Sequence, residues 1–171
     1  PGAWRAAGLG EAGALAGTTW DGHGNWEYQM YTSDHARILD GGRRVELLIE
    51  RRSAEHLQRH GEPRLLYESG KVVHDNGGRG FGLGTLMFTV TNPRALPYGA
   101  WPCVWLLGRG SEWPRGGEID MLEMLPIDFP RKISSAVHYG PSAAERHFVK
   151  GERSASSFGR RIEVNMTRTV E

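Results

Sequence analysis

The sequence has few of the features that mark disulfide-rich, nucleic-acid-binding or membrane-spanning proteins. Its single cysteine, Cys103, cannot form an internal disulfide, and its apolar surroundings predict an inert core thiol. The formal net charge is only +1, and Lys and Arg are scattered, whereas a nucleic-acid binder concentrates them on one face. No segment approaches the length of an apolar membrane span. We therefore expect no nucleic-acid partner and no membrane partner.

Glycine and tryptophan, by contrast, are abundant, with 24 and 6 residues in a chain of 171. Short strand-like runs recur at residues 44–50, 83–91, 100–107 and 133–139, separated by Gly- and Pro-rich turns. Helical periodicity is scarce, and no repeat or low-complexity tract is present. The length lies in the usual single-domain range. The sequence therefore predicts one all-β domain over residues 1–171, built as a sandwich or a barrel.

The most informative segment is Glu118–Glu123, which carries three carboxylates among apolar neighbours. A buried, unpaired carboxylate loses its hydration at great cost, so acids in an apolar segment indicate a function. Side chains on a strand alternate between faces, so Glu118 and Asp120 point the same way and Glu123 would point to the other face. A β-bulge near Met121–Leu122 reverses that parity and brings Glu123 to the other two acids.

The spacing of these acids fits glycoside chemistry. With the bulge, Glu118 and Glu123 lie roughly 7 Å apart by backbone rise, and their flexible carboxyl ends can lean closer. Retaining glycosidases hold their two carboxyls about 5–5.5 Å apart and inverting ones about 6.5–9.5 Å, so the spacing leaves the stereochemistry open. Taken without its flanks, the segment is equally compatible with an exposed helical turn, because short apolar runs are ambiguous.

Four blocks, in order along the chain, carry a resemblance to a known family. They are residues 25–32 (NWEYQMYT), 99–108 (GAWPCVWLLG), 113–123 (WPRGGEIDMLE) and 137–139 (VHY). Together they resemble the signature of glycoside hydrolase family 16, most closely its laminarinase-like branch of endo-β-1,3(4)-glucanases, which has the longer, bulged form of the acidic motif. The resemblance implies a jelly-roll β-sandwich of the concanavalin A-like type, with the cleft on its concave sheet.

The resemblance also implies catalytic roles for the three acids. Glu118 would be the nucleophile, Asp120 would assist it, and Glu123 would be the acid/base of a double displacement on β-1,3 or mixed β-1,3/1,4 glucan. Three neighbouring carboxylates cannot all ionise freely, so at least one of their pKa values must rise. Asp120 is placed to hydrogen-bond Glu118 and hold its rotamer.

Further residues are candidates for substrate binding: Asn25, Glu27, Trp101, Trp105, Trp113 and His138. Sugar rings stack on indole, and sugar clefts combine apolar walls with a few polar groups. Trp101 and Trp113 are expected in the cleft, whereas Trp105 fits the cleft and the core of a strand equally well. His138 would face the carboxylates if its strand pairs beside theirs.

The resemblance implies a secreted protein with a polysaccharide partner and no catalytic cofactor. We predict no metal ligands in the site. Family members often bind a structural calcium, but no ligands for one are assigned on this sequence, and the sequence does not specify an oligomeric state.

The sequence departs from the family pattern in two places. Thr85 and Met87 stand where family members usually carry an acidic and a basic residue. From about Ser142 the resemblance ends, although the family normally continues for several strands, so we expect a fragment or a degenerate relative with an incomplete sandwich. The intact acids favour an active endo-glycosidase, and the missing strands favour a non-hydrolytic β-glucan-binding module or an inactive relative.

Overall fold

The computed structural model describes residues 4–6, 28–53, 66–74, 76, 78–82, 84–91, 99–109, 111–124, 132–154 and 161–167. Within these ranges the chain forms thirteen β-strands and three short 3₁₀ turns, and no α-helix. The same ranges contain no helix long and apolar enough to cross a membrane. The chain divides into two compact units, residues 1–81 and residues 82–171, and each is described by itself.

The first unit is built from short strands. They are β1 (Arg5–Ala6), β2 (Gln29–Tyr31), β3 (Ala36–Leu39), β4 (Arg44–Leu47), β5 (Ile49–Arg51), β6 (Tyr67–Ser69) and β7 (Val72–Val73). β1 pairs with β7 and β3 with β4, and β2, β6 and β5 form a three-stranded sheet in that order. Two 3₁₀ turns, Ser33–His35 and Asp40–Gly42, flank β3.

One predicted strand of this unit, residues 44–50, is interrupted at Leu48. The amide of Leu48 donates to the carbonyl of His35 (2.9 Å), and its carbonyl accepts from the amide of Gly70 (3.0 Å). The chain thus leaves its pairing with β3 at this residue and continues as β5 against β6. The alternating pattern located the strand but did not reveal this change of partner.

The second unit holds the longer strands: β8 (Thr85–Thr91), β9 (Cys103–Leu107), β10 (Glu118–Glu123), β11 (Lys132–Tyr139), β12 (His147–Ser154) and β13 (Arg161–Thr167). A four-stranded antiparallel sheet has the order β12-β11-β10-β9, and β8 pairs with β13. A third 3₁₀ turn, Ala143–Glu145, precedes β12. The predicted strands at 83–91, 100–107 and 133–139 are confirmed, with their last residues unchanged and their first residues moved by one to three positions.

The core of the second unit lies against one face of the four-stranded sheet. Leu122, Met124 and Ile133 are buried there, and Phe88 and Val90 of β8 pack against them. Apolar burial of this kind is the main favourable term in folding. The opposite face of the sheet is therefore left for other side chains, and it carries the acids.

Candidate active site

The acidic segment is a strand with a bulge, as the sequence predicts. Asp120 is opposite Ala136 of β11 and Glu123 is opposite Ser134, so three steps on β10 match two on its neighbour. On the other side Asp120 is opposite Trp105 and Leu122 is opposite Val104, two steps against one. The extra residue re-aims the strand, as bulges beside active sites do. The helical alternative for residues 118–123 is wrong.

The bulge gathers the three acids on one face of the sheet. Directly opposed residues of antiparallel strands share a face, so the register defines the surface that we call the acid face. Its members are Cys103, Trp105, Leu107, Glu118, Asp120, Glu123, Ser134, Ala136, His138, Phe148, Lys150 and Glu152. Leu122 and Val104 point to the opposite face, into the core.

Glu118 is held from one side by an indole. Trp113 Nε1 donates a hydrogen bond to Glu118 Oε2 at 2.5 Å. Trp113 belongs to a tight turn, residues 113–116, that follows β9 and contains a cis Trp113–Pro114 peptide. The turn lies so close to β9 that a Cβ on Gly108 would overlap the carbonyl of Gly116. Glycine at position 108 therefore permits the approach that brings this indole to the acid.

Asp120 is the most buried of the three acids. Its carboxyl shares a hydrogen bond with Glu118, and its Oδ2 lies 3.1 Å from Nε2 of His138. Burial is the largest cause, and the charges of Glu118 and Glu123 add to it, in raising the pKa of Asp120 to about 7. Asp120 therefore carries a proton for much of the time near neutral pH, and through that proton it donates a hydrogen bond to Glu118. This contact agrees with the predicted hydrogen bond between these two acids, and the role assigned to Asp120 stays a prediction.

Glu123 is half-buried, and burial raises its pKa above the ordinary value. Three neighbours oppose that rise by favouring the charged form. Ser134 donates from Oγ to Glu123 Oε2 at 3.4 Å, and Lys150 and His138 add positive charge. A carboxyl whose pKa is raised but still adjustable suits a group that must alternate between acid and base.

His138 lies beside the acids because its strand pairs with theirs, as the sequence predicts. It is opposite Glu118 in the register of β10 and β11. Its ring lies 5.8 Å from that of Phe148 in a stacked arrangement and 6.2 Å from that of Trp113. Within the described part of the chain its Nδ1 is buried without a hydrogen-bond partner. The other ring nitrogen, Nε2, faces Asp120.

The tryptophans occupy different positions around the acids. Trp105 is opposite Asp120 on the acid face, which decides between the two positions that the sequence left open for it. Trp113 is 40% exposed and lies against Glu118. Trp101 precedes β9, and in the described residues its Nε1 is a buried donor without a partner. Asn25 and Glu27 lie outside the described residues, so their predicted role stays a prediction.

Sequence reasoning missed three residues of the acid face that act on Glu123 or contact His138. Ser134, Phe148 and Lys150 lie on β11 and β12, and β12 falls where the family resemblance ends. The even spacing of Ser134 from His138 was the available signal for the first. Cys103 also differs from expectation, because it is half-buried on the acid face opposite Glu123 and not in the core. Its even spacing from Trp105 along β9 puts it on that face, and the bulge in β10 places Glu123 opposite it.

No set of metal ligands is evident in the described residues. They include no group of three or more His, Cys, Asp or Glu side chains arranged to hold an ion. The described residues therefore assign no ligands to a structural calcium.

Solved structures share this fold. A glycoside hydrolase family 16 protein from Bacteroides ovatus, linked to mixed-linkage glucan and bound to a product, matches 88% of this chain with a TM-score of 0.62 at 23% identity. A laminarinase from Flavobacterium sp. matches 97% with a TM-score of 0.62 at 20% identity. An endo-acting O-glycanase from the human gut microbiota that initiates mucin breakdown matches 90% with a TM-score of 0.58 at 23% identity.

These matches establish the architecture of the chain. It has the jelly-roll β-sandwich fold of family 16 glycoside hydrolases, and the predicted fold class is confirmed. The chain spans 58%, 64% and 54% of the lengths of the three structures, in the order given above. No protein-family model matches the sequence, and comparison with curated proteins gives no significant match.

Proposed function

We propose that this protein is a laminarinase-like member of glycoside hydrolase family 16. In this proposal it is a retaining endo-glycosidase that hydrolyses β-1,3 or mixed β-1,3/1,4 glucan. The observation that carries the proposal is the bulge in β10, which collects Glu118, Asp120 and Glu123 on one face beside Trp105 and Trp113. Neighbours in fold that are named as a laminarinase and a mixed-linkage glucan protein support this substrate class.

The proposed reaction proceeds in two displacements. The carboxylate of Glu118 attacks the anomeric carbon, the bond to the glycosidic oxygen breaks, and the proton of Glu123 passes to that oxygen. Glu123, now a carboxylate, removes a proton from water. The water oxygen then displaces Glu118 from the anomeric carbon and restores both carboxyl groups. The reaction needs no cofactor beyond these side chains and water.

Asp120 and burial act in opposite directions on the two reacting acids, since Asp120 favours the charged form of Glu118 and burial favours the protonated form of Glu123. Protonated Asp120 donates to Glu118 and so stabilises the charged form that attacks. His138 contacts Oδ2 of Asp120 and, with Ser134 and Lys150, limits the rise in the pKa of Glu123. Trp113 donates to the second side of Glu118, which fixes the direction of its attack. Glu123, whose pKa burial raises, is left to supply the acid.

Release of new reducing ends from laminarin and lichenan tests the activity. Wild type is expected to release them, and Glu118→Gln is expected to lower release to background while binding of either polymer is retained. Glu112→Gln is the matched control, because Glu112 is an exposed glutamate beside the same turn and lies off the acid face. Mucin O-glycans should be assayed in parallel, since a neighbour in fold acts on them. Full activity of Glu118→Gln would exclude its role as nucleophile.

Azide rescue tests the two roles separately. In Glu118→Ala, azide is expected to attack from the vacated side and give a glycosyl azide of inverted anomeric configuration. In Glu123→Ala the glycosyl-enzyme still forms on substrates with good leaving groups, and azide is expected to release it with retained configuration. Nuclear magnetic resonance of the products distinguishes the anomers. The opposite pair of products would show that Glu123 is the nucleophile and Glu118 the acid/base.

The same assays identify the second function class. A wild-type protein that binds laminarin but releases no reducing ends is a glucan-binding module, and the hydrolase proposal fails. We also propose that the protein acts outside the cell, because a polymeric glucan is too large to diffuse through a membrane. Detection of the protein in culture medium rather than in the cell fraction tests this.

A further inference from the structure

Arg146 is a cation near the Glu118 end of the acid face, and it takes no part in the proposed reaction. Arg146 lies between the 3₁₀ turn Ala143–Glu145 and β12. Its guanidinium centre is 5.5 Å from the ring centroid of Trp113 and 5.6 Å from that of Phe148. Trp113 is the side chain that donates to Glu118. Arg146 and Glu118 therefore share one indole between them.

The loop that presents Arg146 is fixed in place. Arg115 donates from both Nε (3.3 Å) and Nη2 (3.1 Å) to the carbonyl of Pro141. Ser142 Oγ accepts from the amide of Glu145 at 3.3 Å, and a Cβ on Gly140 would overlap the carbonyl of Glu145. These contacts set the start of β12, so the guanidinium is positioned before any ligand arrives.

The charge of Arg146 is not neutralised by any carboxylate within the described residues. The neighbouring cations on β11 and β12 differ, since Lys132 and Lys150 each lie 3.0 Å from the carboxylate of Glu152. The nearest acid in sequence, Glu145, places its carboxylate 3.3 Å from the hydroxyl of Ser142. A guanidinium that rests on aromatic rings keeps its N–H donors at the edge, where they can pair with an anion in a bidentate way.

We propose that Arg146, supported by Trp113 and Phe148, forms a subsite for an anionic group, a sulfate ester or a carboxylate, on a sugar ring next to the cleavage point. The inference rests on the proposed function in that it places this subsite in the same cleft. It predicts that the natural β-glucan substrate carries anionic substituents on some of its sugar residues.

Binding measurements in the Glu118→Gln background test the subsite, because the polymer is not cleaved. Three oligosaccharides of equal length are compared by calorimetry: neutral, sulfated and carboxymethylated laminarin fragments. Arg146→Gln is expected to weaken binding of an anionic fragment by about tenfold and to leave binding of the neutral fragment within about twofold. Arg146→Lys is expected to retain part of the preference. The anionic fragment with the larger loss identifies the substituent.

Arg37→Gln is the matched control, because Arg37 is an exposed arginine on β3, in the other unit, and its loss changes net charge equally. An Arg146-specific loss for the anionic fragments supports the subsite, even if wild type releases no reducing ends and the hydrolase proposal fails. Equal losses for neutral and anionic fragments, or an equal loss with Arg37→Gln, overturn it. Cleavage of neutral laminarin in that case leaves the proposed function standing.

Discussion

Ser134 and Lys150 both favour the charged form of Glu123, and they lie on the adjacent strand β11 and on β12, one strand further. Burial acts in the opposite direction and is the largest cause. The proton affinity of the proposed acid/base is thus a balance between loss of hydration and a few polar neighbours. A change at one neighbour shifts that balance without touching the carboxyl itself.

Lys150→Met is expected to raise the pKa of Glu123, because it removes a positive charge that stabilises the carboxylate. The acid must be protonated to act, so the alkaline limb of the kcat/KM profile is expected to move to higher pH by about half a unit or more. Lys132→Met is the control, since Lys132 contacts the same Glu152 but does not act on Glu123. A shift of the limb to lower pH would contradict the assignment of Glu123 as acid.

At the scale of the element, the bulge in β10 serves the core as well as the site. It lets Glu123 join the acid face while Leu122, next to it, points into the core and is 0% exposed. In a regular strand with Glu118 and Asp120 on the acid face, Leu122 would point to that face and Glu123 would point into the core. The bulge therefore both places the third acid in the candidate site and keeps Leu122 in the core.

Leu122→Ala is expected to destabilise the protein by about 2–5 kcal/mol, because it removes fully buried methyl groups and leaves a cavity. Met87→Ala, on β8 of the same unit, is expected to change stability by less than about 0.5 kcal/mol, since Met87 is 72% exposed. Urea unfolding of both variants measures the difference. Equal losses would show that the core is not where the register of β9 and β10 places it.

At the scale of the whole molecule, the grouping of acids that the proposed reaction requires lowers the stability of the fold near neutral pH. The raised pKa of Asp120 means that the folded chain binds its proton more tightly than the unfolded chain does. Stability contributed by this group is therefore lost as pH rises from about 4 to about 7, and the loss is constant above that. The first unit also buries polar side chains, namely His35, Arg52 and Lys71, so burial of polar groups is not confined to the acid face.

Asp120→Asn is expected to be more stable than wild type above pH 7, by roughly 4 kcal/mol at most, with little difference near pH 4. Asparagine keeps an oxygen that can accept from His138 and loses the buried charge. Thermal unfolding at pH 4 and pH 8 checks the gap, with the exposed Asp34→Asn as control. A gap of the same size at both values would exclude burial of the charge as its cause.

The size of the chain also belongs to this scale. It spans 54–64% of the lengths of the structures it resembles, and its contacts separate into two compact units. The prediction of one domain over residues 1–171 stays a prediction. The fold class was nevertheless predicted correctly. Strand-like runs and glycine turns, which are local properties of the sequence, predicted an all-β sandwich or barrel, and the family resemblance narrowed this to a jelly roll.

The sequence by itself determined the acidic strand, its bulge and the β architecture, because side-chain parity and turn residues act over a few positions. Only the tertiary structure decided what lies beside the acids. Trp105, Cys103, Ser134, Phe148 and Lys150 reach the acid face through the pairing register of strands distant in sequence. Register depends on hydrogen bonds and packing across the whole sheet, and no local pattern encodes it. The proton affinities of Asp120 and Glu123 follow from that packing, since burial is their first cause.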